Sequence, residues 1–442
     1  MTGDLIDPRT GLVRGRLTDS GGDAAAVVAR ARAAAPAWAA FTPRDRARRL
    51  LALADRLDER ASAYAAAEVA GTGKPAADAR EEVEQAADLF RFYAGAVRAE
   101  LGPGGGQLID GHESWVRFEP LGVVAAIVPW NYPLMMAAWR CAPALAAGNT
   151  VVLKPAETTP DTALLLAEDA AILLGPGVLQ TLTGGRECGT RLVEAEVDAV
   201  AFTGSGAGGL DVARRAGTRR ISLELGGNCP VLVLPDAPER TWADLADAAT
   251  YNAGQSCAAP ARVIAVGSAY ATAVAKLGAA LAGRTAGRDF GPLNNAAQAE
   301  RYDRLVDGAK AEVRTAGAVE ADGGYFRPAC LLAGLPDDDP AVTEEVFGPV
   351  LTVQPARDLD EALRLAGSVP QALAASVWTA ALDTALHAAR RLDAGETWVN
   401  CHLVQTAELP HGGRGASGTG TDLSVLALAE YRRPKTVTVN LR

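Results

Sequence analysis

Ala199-Val200-Ala201-Phe202-Thr203-Gly204-Ser205-Gly206-Ala207-Gly208-Gly209 reads as an apolar strand that runs into a glycine-rich turn and then opens a helix. The exposed N–H groups and positive dipole end of such a helix suit a pyrophosphate, although a turn of this kind also serves close packing alone. The same rhythm recurs on both sides. Residues 123–128, 150–153, 178–182 and 221–223 are short apolar runs separated by helical stretches. Fully apolar strands alternating with helices of about 10–15 residues predict a parallel sheet covered on both faces, an α/β fold of the nucleotide-binding kind.

Upstream, residues 23–98 carry Ala, Leu and Arg at helical spacing, punctuated by Gly71-Thr72-Gly73-Lys74-Pro75. This part is expected to pack and to carry no chemistry. Gly102-Pro103-Gly104-Gly105-Gly106 breaks the helical run, and residues 107–120 read as an extended arm with a turn at Asp110-Gly111. Beyond Gly227 a second α/β unit follows, with helices predicted over 243–253, 269–281 and 298–316 and strands over 350–353 and 374–379. From Glu408 the chain is glycine-rich and irregular, and residues 436–441 alternate like an edge strand. That strand and the arm are suited to pairing, either across subunits or within one chain.

A chain of 442 residues exceeds one simple core, and its 49% hydrophobic and 22% charged content is that of a globular protein. The net charge of −10 argues against nucleic acid and against an anionic membrane surface, since both require Lys and Arg facing phosphates. Six scattered cysteines include no CxxC pair, so they read as reduced thiols and no metal site is expected. The first residues hold no apolar core of signal-peptide length. The most apolar stretch, 121–148, is interrupted by Pro129, Asn131, Pro133 and Arg140. A cytoplasmic location is the expectation.

Chemistry points to Tyr251-Asn252-Ala253-Gly254-Gln255-Ser256-Cys257, with Ile221-Ser222-Leu223-Glu224-Leu225-Gly226-Gly227 upstream. A free cysteine is most often a small buried apolar residue. A cysteine and a glutamate each set in a glycine-containing turn instead suggest a thiol nucleophile and the base that releases its adduct.

With Pro129-Trp130-Asn131-Tyr132-Pro133, Leu153-Lys154-Pro155-Ala156-Glu157, Phe202-Thr203-Gly204-Ser205, Glu224-Leu225-Gly226-Gly227, Gly254-Gln255-Ser256-Cys257, Glu344-Glu345-Val346-Phe347-Gly348-Pro349 and Trp398-Val399-Asn400 in this order, the chain resembles the aldehyde dehydrogenase superfamily over nearly its whole length. Residues 130–148 and Leu409-Pro410-His411-Gly412-Gly413 look most like the aminobutyraldehyde dehydrogenases, with betaine aldehyde dehydrogenases as near neighbours. The resemblance implies a Rossmann-like NAD-binding domain (1–98 and 121–226), an α/β catalytic domain (227–416) and a small β oligomerisation domain (99–120 and 417–442), assembled as a homodimer or homotetramer. It implies Cys257 as nucleophile, Glu224 as the base for thioester hydrolysis and Asn131 as an oxyanion donor. It places Lys154 and Glu157 on the adenosine ribose of NAD, Trp130, Gly204 and Ser205 near the pyrophosphate, Glu345 on the nicotinamide ribose and Phe347 beside the ring.

Asn228 and Gly415 depart from the residues usual at these places and neither carries the chemistry, whereas the departures at Gly206 and Gln371-Ala372 bear on loop conformation around the cofactor and active site. The complete Asn131, Glu224 and Cys257 set argues against a retired enzyme kept as a binding or structural protein. The small-molecule substrate is expected to be an aldehyde. An ω-aminoaldehyde such as 4-aminobutyraldehyde is favoured over betaine aldehyde or a general aliphatic aldehyde, because Tyr132 and Trp139 lie two helical turns apart and offer aromatic faces to a cation. Glu84 and Asp88, one turn apart, are candidate acidic partners, and residues 401–405 add no Trp or Phe.

A carboxylate at Glu157 accepts hydrogen bonds from both ribose hydroxyls and repels a 2′-phosphate. Wild-type enzyme is therefore expected to use NAD in preference to NADP, and Glu157→Ser to narrow that gap. Equal wild-type kcat/KM with the two cofactors would refute the assignment.

Overall fold

The N-terminal hairpin of β1 (Thr2–Ile6) and β2 (Val13–Thr18) leads into four helices: α1 (Ala24–Ala40), α2 (Pro43–Glu59), α3 (Ala61–Thr72) and α4 (Ala76–Ala99). Thr42 caps α2 by accepting the Asp45 N–H at 3.2 Å, with Pro43 in the first turn, where its missing N–H costs nothing. Leu50, Leu53 and Leu57 of α2 recur on one face and are fully buried against Val83, Phe90 and Tyr93 of α4. The computed structural model describes residues 2–99 and 104–442; Met1 and residues 100–103, which include the start of the expected glycine-rich breaker, lie outside the described residues.

Two arm strands, β3 (Gly106–Ile109) and β4 (His112–Pro120), precede the first large sheet. In chain order the next elements are β5 (Val123–Ile127), α5 (Pro133–Ala146), β6 (Thr150–Lys154), α6 (Asp161–Leu173), β7 (Leu179–Thr181), α7 (Arg186–Glu194), β8 (Ala199–Gly204), α8 (Gly206–Ala216) and β9 (Arg220–Leu225). The strands form a five-stranded sheet in the order β7-β6-β5-β8-β9, and every pairing is parallel. The order reverses between β5 and β8, so the loops after those two strands diverge and open a crevice. Trp130 and Asn131 follow β5; Ser205 follows β8.

The second unit contains β10 (Cys229–Val233), α9 (Thr241–Thr250) and β11 (Pro260–Val266). Its seven-stranded sheet runs Val313–Ala316, Cys330–Ala333, Val350–Ala356, β11, β10, Ala374–Trp378, Glu396–Val399. All neighbours are parallel except the outermost Val313–Ala316, which pairs antiparallel with Cys330–Ala333. Here the helix expected over 298–316 is corrected. It spans Ala296–Asp307, is capped by Asn295 and stops at Gly308, and the β-branched residues beyond it join the sheet. The helix expected over 243–253 likewise ends at Thr250, because Asn252 and Ala253 are left-handed (φ 49° and 55°).

The terminal strand Arg432–Asn440 begins earlier than its alternation suggested and pairs antiparallel with β4 of the same chain, Arg432 opposite Pro120 and Asn440 opposite His112. Pro434 is tolerated because this strand is an edge. No helix of the described residues is long and apolar enough to cross a membrane.

Arg140 locks these parts together. Fully buried on α5, it donates to Thr203 Oγ1 at 2.9 Å, Ser222 Oγ at 3.0 Å and the Phe202 carbonyl at 3.2 Å, and lies 2.8 Å from Asp422 in the C-terminal segment. Burial raises the Asp422 carboxyl to about 6, while Arg140 pulls it down. Removing one partner of a buried pair strands the other, a loss of about 3–5 kcal/mol. Arg140→Met is therefore expected to lower the urea midpoint sharply, and Arg140→Met with Asp422→Asn to recover part of the loss; equal midpoints for all three proteins would contradict the lock.

Candidate active site

The turn that presents Cys257 is held in an unusual conformation. Asn252, Ala253 and Gly254 are successively left-handed, and at Gly254 (φ +69°) a Cβ would stand 2.3 Å from the Gly348 carbonyl oxygen. Only glycine fits there. Side-chain amides compensate the strain: Asn252 Nδ2 donates to the Asn131 carbonyl at 2.8 Å, Asn131 Nδ2 to the Gln255 carbonyl at 2.9 Å, and Gln255 Nε2 to the Asn252 carbonyl at 3.0 Å. The loop after β5 and the nucleophile turn are thus one hydrogen-bonded unit spanning both sheets.

Beneath that unit lies a buried charge cluster that the sequence did not reveal. Lys74 pairs with Glu82, and its Nζ donates to the Asn131 carbonyl at 3.1 Å. Glu82 Oε1 accepts the Met135 N–H at 3.1 Å and Glu68 Oε1 the Leu134 N–H at 3.0 Å, so both carboxyls satisfy the otherwise open N-terminus of α5. Burial, and then the neighbouring Glu82, pushes the Glu68 carboxyl up to about 8. The segment expected only to pack therefore positions Asn131. The signal was Gly73, left-handed at the end of α3, which turns Lys74 inward.

Glu224, buried at the end of β9, reaches the same point as Cys257. Cys257 Sγ, a Glu224 carboxylate oxygen and a His411 ring nitrogen all lie within 4.8 Å of one another. His411 Nε2 is 3.4 Å from Glu224 Oε1, and Nδ1 is 3.1 Å from Glu396 Oε2. Burial, reinforced by the Glu224 charge, pushes the Cys257 thiol up to about 12, and His411 opposes that rise. For His411 burial favours the neutral ring, but the bonds to Cys257, Glu224 and Glu396 together carry it well above the usual imidazole range. A thiol, an imidazole and a carboxylate so placed are also donors of the types a divalent ion binds, a grouping hidden by their separation in sequence.

The residues expected to hold NAD pair with one another or with nearby backbone. The Trp130 and Phe347 rings meet edge to face at 5.5 Å, and Phe347 is left-handed (φ 56°). Ser205 caps α8, accepting the Gly208 N–H at 3.2 Å, so the first amides of α8 face the crevice at the sheet's carboxyl edge. Lys154 is buried at the end of β6 with its ammonium 3.5 Å from Glu157, whose carboxylate is largely exposed. Glu345 accepts the Gly227 N–H at 3.0 Å, and burial pushes its carboxyl up to about 8. A Cβ on Gly226 would strike it. An anion-binding helix start, a shielded cation, an exposed carboxylate and a pair of rings in line are what a dinucleotide needs, and the residues fit one.

On the opposite side of Cys257 a cavity of about 620 Å³ approaches Ser256. Tyr132 and Trp139 line it, as does Tyr251, which stacks on Tyr132 at 6.4 Å. Asp88 is on its wall, whereas Glu84 is not; Glu84 is exposed and paired with Arg80 across one helical turn, and Glu81, on the neighbouring face of α4, lines the cavity instead. Lys74 already covers the Tyr132 ring at 4.6 Å, and Trp139 packs edge-on against His411 at 5.0 Å.

Residues 2–437 match the aldehyde dehydrogenase family. The chain belongs to that family. An aldehyde dehydrogenase-like protein of Schizosaccharomyces pombe is 35% identical, with 91% of this chain and 83% of that protein aligned. Among solved structures, a single-residue variant of an aldehyde dehydrogenase from Bacillus cereus superposes with a TM-score of 0.96 at 32% identity, covering 100% of this chain and 94% of that one. The betaine aldehyde dehydrogenase of Staphylococcus aureus, solved with NAD+, gives 0.94 at 30% identity over 100% of this chain and 92% of that one.

In this aldehyde dehydrogenase the turn that presents Cys257 depends on Gly254 having no side chain. Gly254→Ala is expected to leave the folded protein intact, since the strain is local, yet to lower the iodoacetamide labelling rate of Cys257 and kcat together by about tenfold or more, the scale of a small misplacement of a reacting group. Unchanged kcat would show that the turn does not set the thiol's position.

Proposed function

We propose that the chain oxidises an aldehyde to a carboxylate with NAD, using Cys257 as nucleophile, Glu224 as hydrolytic base and the Asn131 amide as oxyanion donor. The observation that carries this reading is the convergence of the Cys257 thiol and the buried Glu224 carboxylate within 4.8 Å, next to Ser256 on the cavity wall. The Cys257 thiolate adds to the carbonyl carbon. Asn131, its backbone pinned by Lys74 and Asn252, turns its Nδ2 from the Gln255 carbonyl to the developing oxyanion, in company with the Cys257 N–H. NAD, when bound, supplies the hydride acceptor. Glu224 then removes a proton from the water that attacks the thioester. Lys154 and Glu157 would hold the adenosine ribose, Trp130, Gly204 and Ser205 the pyrophosphate region, and Glu345 and Phe347 the nicotinamide end.

For the substrate we favour an ω-aminoaldehyde. Glu81, Asp88, Asp244 and Asp247 line the cavity, and among the described residues its lining includes no lysine or arginine. Asp244 and Asp247 are paired with Arg240 and Arg284, so Glu81 and Asp88 are the carboxylates that attract an ammonium group, and a free aromatic face adds about 0.5–2 kcal/mol. The shared Lys74 contact leaves Tyr132 less to offer, so Trp139 and Tyr251 carry more of that recognition. Betaine aldehyde is the second reading, favoured by the likeness to the Staphylococcus aureus enzyme. Exposed apolar residues on the arm, Leu108 and Ile109, support assembly into a homo-oligomer.

Cys257→Ser is expected to abolish turnover, and Glu224→Gln to release about one NADH per site in a burst and then stall. Steady turnover by Cys257→Ser would end the mechanism. Measured as kcat/KM, 4-aminobutyraldehyde should exceed betaine aldehyde and an uncharged aldehyde of matched length, with Trp139→Ala narrowing the gap. Preference for the uncharged aldehyde would leave the aldehyde dehydrogenase chemistry standing without cation recognition.

A further inference from the structure

His411 is a buried acid–base group that the mechanism above does not use. Its Nε2 edge faces Cys257 and Glu224, while its Nδ1 lies 3.1 Å from Glu396 Oε2, on the edge strand of the large sheet. Gln405 Nε2 donates to that same Glu396 oxygen at 3.0 Å, fixing the carboxylate behind the ring, and stands 2.9 Å from Nδ1, so that Glu396 is the acceptor of the two when Nδ1 carries a proton. The imidazole cannot drift. His411 is paired through its backbone in both directions with Asp422, at 2.8 and 2.7 Å, and Trp139 packs against the ring. The charged and titratable groups around it are therefore Cys257, Glu224, Glu396 and Asp422, with Arg140 behind Asp422. A ring with a thiol on one side and a fixed carboxylate on the other has the geometry of a proton acceptor and its orienting partner.

Resting on the aldehyde dehydrogenase reading, we infer that His411 takes the Cys257 proton, with Glu396 as its positioning residue, so that Cys257–His411–Glu396 generates the nucleophilic thiolate. The S–H bond breaks and its proton passes to Nε2; the sulfur pair adds to the carbonyl carbon. Glu396 balances the imidazolium through Nδ1–H. When hydrolysis expels the thiolate, the same proton is available to return to sulfur, while Glu224 accepts the one from water. No other oxidant or proton source is required. A buried thiol needs such help, and a ring nitrogen within 4.8 Å of its sulfur and braced by a carboxylate on the far side supplies it.

The test is the pH dependence of iodoacetamide alkylation of Cys257 in the cofactor-free, full-length enzyme, for wild type, His411→Gln, His411→Phe and Glu396→Gln, with NAD binding followed by tryptophan quenching to report folding. Wild type is expected to label on a plateau that extends below the ordinary cysteine range. In His411→Gln, which keeps a polar side chain but accepts no proton, labelling at pH 7 should fall by about tenfold or more and its limb should move to alkaline pH. Glu396→Gln should lie between them, and the NADH burst rate should follow the same order. His411→Gln with the wild-type profile would overturn the inference while leaving the enzyme's activity standing. So would wild-type labelling that rises only in the alkaline range, a result that needs no variant to fold. Absence of NADH formation by wild type with any aldehyde would instead remove the functional reading itself.

Discussion

Cys257 sits on a backbone that would not hold itself. Successive left-handed residues at Asn252 and Ala253 cost about 1–3 kcal/mol each unless surrounding groups impose them. The amides of Asn131, Asn252 and Gln255 impose them by exchanging hydrogen bonds between the β5 loop and the 252–257 turn. One consequence is that the Asn131 backbone and the Cys257 turn are coupled through these bonds. Another is that two sheets, each stable through its own apolar core, become a single reactive surface at their seam.

The fold was legible where period and composition agree. The apolar runs of the five-stranded sheet pointed to parallel pairing and to the turn at Gly204-Ser205, because strands buried on both faces are predominantly apolar. The helix over-extended past Asp307 shows the limit. An Ala- and Arg-rich sequence continues to look helical after Gly308, and only pairing with Cys330–Ala333 makes Val313–Ala316 a strand. Such pairing is non-local, and local propensity does not encode it.

The site was legible in a similar, uneven way. Cys257 and Glu224 stand beside glycine-bearing turns, so their residue types and neighbours point to them, whereas Asn131 is pointed to by the family resemblance. Glu68, Glu82, Lys74, His411 and Glu396 stand in helices, a strand and an irregular segment, where each alone reads as an ordinary surface charge. Burial converts them into a network, and burial is a property of the whole chain. Glu84 illustrates the converse: it forms an exposed ion pair while Glu81 and Asp88, three and four positions away on α4, line the cavity, a distinction set by the exact rotation of the helix.

Burying this many ionisable groups near one thiol carries a cost that apolar packing would avoid. The distribution indicates what the cost secures. Lys74 with Glu82 and Glu68 faces the start of α5; Arg140 with Asp422 faces its middle and the C-terminal segment; His411 with Glu396 faces the thiol. Each cluster pins one element that contributes to the junction, and each does so with directional bonds instead of volume. Apolar side chains would stabilise the same helices but would tolerate small slides along them. A nucleophilic addition needs its partners placed to within a fraction of an ångström, so directional, buried polarity is the material suited to this junction.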